Sequence, residues 1–96
     1  MASIKALKKE IDLMLSLVLN DCFFISGTNK DADKDEIMAI ATDVIGKHSE
    51  LRQKVNHPGG KDNPKQVKEY YKSVVSELFA TVDDSLERLS KAVKKD

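Results

Sequence analysis

One cysteine, two prolines, four glycines and no tryptophan occur in this 96-residue chain, and each scarcity excludes something. A lone Cys22 rules out an internal disulfide, and a chain without cystines suits a reducing, cytoplasmic setting. Cys22 lies in the most apolar part of its segment, beside Asp21 and not beside a base, so the expectation is a buried, inert thiol. Five aromatic residues leave the core to aliphatic side chains. Formal net charge is zero, so the molecule as a whole offers no general attraction to nucleic acid or to an acidic bilayer. Long hydrophobic runs are scarce as well. Lys5, Lys8 and Lys9 precede the run Leu13 to Leu19 in the manner of a signal peptide, but Glu10 and Asp12 stand at its start, and Asn20 and Asp21 cut it short. An uninterrupted span would need roughly 20 apolar residues, so this segment reads as a structural helix and no membrane partner is expected.

The chain does have helical periodicity, three times over. Ile4, Leu7, Ile11, Met14, Val18, Cys22 and Ile25 form one apolar stripe. Ile37, Ile40, Val44, His48, Leu51 and Val55 form the second; Val67, Tyr71, Val74, Leu78, Val82, Leu86, Leu89 and Val93 form the third. Steps of three and four place each set on one helix face. Ser3 is the expected N-cap of the first helix and Gly27 its left-handed terminator. Asp33 and Glu36 read as a capping box for the second helix, and Asn63, Pro64 and Gln66 start the third. The predicted helices cover 3–26, 34–55 and 64–93 of a single domain, 1–96, in an all-α, up-down-up antiparallel three-helix bundle. The third would extend ~45 Å against ~35 Å for the others, so its last turns should project from the bundle or pack on another chain. Gly46 lies inside the second helix, where it weakens the helix or permits a close neighbour.

Patterns for site chemistry fail one after another. A calcium loop starting at Asp31 needs glycine sixth and glutamate twelfth, where the chain has Glu36 and Thr42. There is no Glu-x-x-His pair for a di-iron bundle, and His48 and His57 lack metal-ligand spacing. His48 occupies a stripe position, which fits a hydrogen-bonded histidine at the core edge better than a phosphorelay site. Adjacent Tyr70 and Tyr71 point about 100° apart, one to the core and one to its flank, which makes no base-stacking platform. No nucleophile with its base, P-loop or dinucleotide fingerprint is present, so neither an enzyme nor a cofactor is expected.

Two features exceed a plain bundle. The first helix carries surplus apolar residues, Leu13, Leu15, Leu17, Leu19, Phe23 and Phe24, with Leu13, Leu17 and Phe24 roughly opposite its stripe. Either a long third helix wraps over them or they pair with a second copy, and a homodimer is the preferred expectation; another protein is the alternative partner. Charge is also segregated. In an up-down-up arrangement one end gathers ten basic and four acidic residues, a surplus of +6, and the remainder holds the compensating −6. At the basic end His57, Gly59, Gly60, Lys61 and Lys65 lead into the third helix, so a small anion or nucleic-acid site there is the alternative function. Pro64 removes one of its donors.

Overall fold

The computed structural model describes residues 4–56 and 64–93. Three helices account for most of them: α1 (Ile4–Thr28), α2 (Lys34–Asn56) and α3 (Pro64–Val93). Asp12, early in α1, meets Arg52, late in α2, and Glu77 meets Lys54 while Arg88 meets Glu36, so α2 runs antiparallel to both neighbours. The result is the up-down-up, all-α three-helix bundle, 53 × 19 × 19 Å.

Local chemistry explains the helix ends, with two departures from expectation. Asp33 Oδ1 accepts the Glu36 N–H at 3.1 Å and its carbonyl accepts that of Ile37 at 3.0 Å, so Asp33 caps α2. The Glu36 carboxylate does not return to the cap; it accepts from Arg88 Nε instead, at 3.1 Å, so the box is one-sided. Gly27 does not terminate α1 as a left-handed residue. It lies within the helix without a positive φ, the Asn29 N–H continues the ladder to the Ile25 carbonyl at 3.0 Å, and Thr28 Oγ1 donates to the Phe24 carbonyl at 2.8 Å. The proposed caps Ser3 and Asn63 lie outside the described residues.

The far end of α3 corrects a further expectation. Its last turn neither projects nor waits for another chain: the Asp33 N–H donates to the Ala92 carbonyl at 3.0 Å, and Ala32, Leu89 and Ala92 are buried there. The short α1–α2 connection therefore seals the C-terminal end of α3, and the extra length lies at its N-terminal end, where Pro64, Lys65 and Gln66 are exposed.

The core is aliphatic, with Ile11, Leu15, Val18, Ile40, Val44, Leu51, Val55, Val74 and Leu78 all but fully enclosed along with Cys22. Burial, and secondarily Asp21, pushes the Cys22 thiol above its ordinary range, as befits an inert core thiol. Leu15 belongs to this core at 1% exposure and not to the surplus. In α3 the stripe drifts: Leu86 is exposed, while Ser85 and Ala92 are buried. Steps of four advance about 40° each time, so 78, 82, 86 precess off the seam, whereas 78, 85, 89, 92 stay on it. Tyr70 and Tyr71 are both half-buried against the core, edge to face at 6.0 Å, so neither is a core residue with the other on its flank.

Gly46 permits no close approach either; a Cβ built there meets nothing within 4 Å. Gly46→Ala should therefore stabilise the protein by about 0.5–1 kcal/mol. That is a rise of several degrees in the thermal midpoint, read by circular dichroism.

Candidate functional site

Ion pairs set the heights of the helices against one another. Asp12 of α1 accepts from Arg52 Nη1 at 2.7 and 2.8 Å and lies 2.6 Å from His48 Nε2. The guanidinium first, and the imidazole second, hold the Asp12 carboxyl below its usual range. An ionised carboxylate only accepts, so His48 Nε2 carries the hydrogen. His48 is thus the hydrogen-bonded core-edge histidine its stripe position implied. Across α2 and α3, Glu77 accepts from Lys54 at 2.8 Å and from Lys47 at 3.1 Å, and Glu50 closes the cluster by meeting both lysines. Higher up, Arg88 reaches Glu36 at 3.1 Å and Asp43 at 2.8 Å. Carboxylate contacts, Asp43 foremost, raise the Arg88 guanidinium, and Glu77 foremost raises both lysines.

Glu77 makes this seam sensitive to acid. Lys54 above all draws its carboxyl from the ordinary 4.5 down to about 2. A folded-state value below the unfolded one gives stability that is complete above pH 4.5 and lost as pH falls through about 2. With the side chain about a third exposed, solvent screening leaves roughly 1 kcal/mol. Glu77→Gln should lower stability by that amount at pH 7 and match the parent near pH 2, compared by urea midpoints at both pH values.

The same contacts place the exposed apolar residues. Residues 12 of α1, about 50 of α2 and 77 of α3 share one height, so Phe79 and Leu86 stand level with Met14 and Asp21. Ile45 and Met38 stand level with Leu17 and Phe24. Leu13 (58% exposed), Leu17 (54%) and Phe24 (69%) fall within about 40° on the outer face of α1. No part of α3 wraps over them. Met38 and Ile45 lie just past the α1-facing side of α2, near Phe23, and Phe79 and Leu86 lie on the side of α3 turned away from Glu77 and Arg88. Eight of the nine exposed large hydrophobics among the described residues thus occupy one face, in a band about 16 Å tall. Summed over the eight side chains, on the order of 800 Å² stays uncovered there, with exposed Ser16 and Asn20 interspersed on α1. The α2–α3 seam, carrying the ion pairs, is its chemical opposite. Periodicity within α1 marks Leu13, Leu17 and Phe24, whereas the α2 and α3 rims emerge only from the helix heights.

The basic-end site fares differently. His57, Gly59, Gly60 and Lys61 lie outside the described residues. Lys65 is exposed and borders a shallow depression with Gln66 and Glu69, whose carboxylate opposes an anion. Asp12 and Glu77, counted with the acidic half on sequence grounds, sit at the basic end. Among the described residues that end holds nine basic and five acidic side chains, the other four and nine. The polarity persists, reduced.

By length and composition α1 is apolar enough to cross a membrane, contrary to the expectation from its interrupted run. In the bundle its Leu7, Ile11, Leu15, Val18 and Cys22 are already committed against α2 and α3. No family model, no curated protein and no solved structure matches this chain.

Proposed function

We propose that this chain is a non-enzymatic helical module that works by self-association, its contact surface the outer face of α1 and the rims beside it. The observation that carries the reading is the concentration of exposed Leu13, Leu17, Phe24 and their neighbours on one face, while the α2–α3 side is closed by ion pairs. Left in water, each large side chain forgoes about 1 kcal/mol for its uncovered half. Two copies covering most of the patch would bury on the order of 1,600 Å², the size of a standard specific interface. A heteromeric partner using the same face is the competing occupant.

Sedimentation equilibrium at ten to several hundred micromolar tests this directly. Dimers whose population rises with concentration are the expected result. A strict monomer throughout that range would remove self-association and leave the face to another protein.

A further inference from the structure

We infer that two copies pair through α1 in antiparallel fashion, about a two-fold axis that crosses the bundle's long axis near the height of Leu17 and Val18. This rests on the self-association just proposed and adds the arrangement of the copies. Two observations select it, and the layout of the patch accommodates it.

Charge is the first. The basic end carries four more cations than anions and the opposite end five more anions than cations among the described residues. Antiparallel pairing sets each basic end against an acidic one; parallel pairing sets like against like along the whole contact.

The helix termini are the second. α1 has no acidic residue in its first turn and no basic residue in its last, so its macrodipole is uncompensated at both ends within its own helix. In the antiparallel pair, exposed Lys9 of each copy comes to the height of the last turn of α1 in the other, where the Ile25–Thr28 carbonyls end the helix. Each copy thereby supplies the cation that the other lacks.

The layout of the patch accommodates this arrangement. With the axis at that height, Leu13 faces the partner's Phe24, and Phe79 faces the partner's Leu86. On the remaining rim Ile45 lies at the height of the axis and comes opposite the partner's Ile45. The centre of the patch thus meets apolar side chains of the other copy, as an isologous interface requires.

A nitroxide on Lys5→Cys reads the arrangement, because Lys5 is exposed at the basic end of α1 and outside the patch, while Cys22 is buried and unreactive. Antiparallel copies place the two labels ~40 Å apart, parallel copies less than ~20 Å, by helix rise and interaxial spacing. Double electron–electron resonance on the dimer should give the long distance. Raising salt from 50 to 500 mM should weaken the dimer several-fold, as the complementary ends are screened. A short distance, or a dimer tightened by salt, would overturn the antiparallel arrangement and leave self-association standing. A monomer in the same sample would remove both.

Discussion

Leu17→Asp should abolish pairing while leaving the single subunit folded. Leu17 sits at the centre of the patch, and more than half of its side chain is in water in the isolated bundle. A polar replacement there disturbs no core contact, so the subunit should lose no more than about 0.5 kcal/mol. In a two-fold pair the same substitution acts twice. It forfeits about 1 kcal/mol of apolar burial per copy and places two like charges close together without partners, at several kcal/mol more. The dissociation constant should rise by about a thousandfold or more. Ala80→Asp makes the same change of charge on the exposed side of α3 away from the patch, and it should leave assembly unaltered. Sedimentation velocity of the three proteins, with thermal melts at low concentration to report on the subunit, separates the effects. A Leu17→Asp protein that stays dimeric would mean the surface lies elsewhere.

That experiment turns on a residue the sequence singled out, and what was legible there divides along physical lines. Helix number, limits and direction were readable because punctuation is strong: Asp33 caps through its own side chain, and Pro64 can start a helix but not continue one. His48 was placed at the core edge by its stripe position, yet its partners Asp12 and Arg52 stand 36 and 40 residues away in the chain, and nothing local names them. Gly27 shows the reverse failure. A glycine near a helix end is ordinarily read as a terminator, but here the ladder simply runs on through it.

The surface was half legible for a related reason. A helix's own outer face can be read from its own periodicity, hence Leu13, Leu17 and Phe24. Met38, Ile45, Phe79 and Leu86 join them only through helix heights set by Glu77, Arg88 and Asp12, and those contacts cross between segments. Its spacing puts Leu86 in the core stripe, because a run of fours looks regular in sequence while it precesses in space.

Leu13 and Leu15 make the sharpest comparison, since they are two residues apart and chemically identical, and both looked surplus. On a helix they point about 200° apart. Leu15, at 1% exposure, is packed in the centre of the bundle, and Leu13, at 58%, is not. Leu15→Ala removes buried methyl groups and leaves a cavity, which should cost the subunit about 2–5 kcal/mol. That is a large share of the stability of a domain this size, and it corresponds to a fall of roughly 10–25 °C in the thermal midpoint. Leu13→Ala should shift the midpoint of the dilute subunit by no more than a degree or two. Its effect should appear instead in the concentration dependence, since pairing raises the midpoint by mass action and a weaker pair raises it less. Melts of parent and both variants at 5 and 500 micromolar give the two quantities together. Leu15→Ala should lower both curves in parallel, and Leu13→Ala should bring them closer to each other. If Leu13→Ala destabilises the dilute protein as much as Leu15→Ala does, the outer face of α1 is core and not surface.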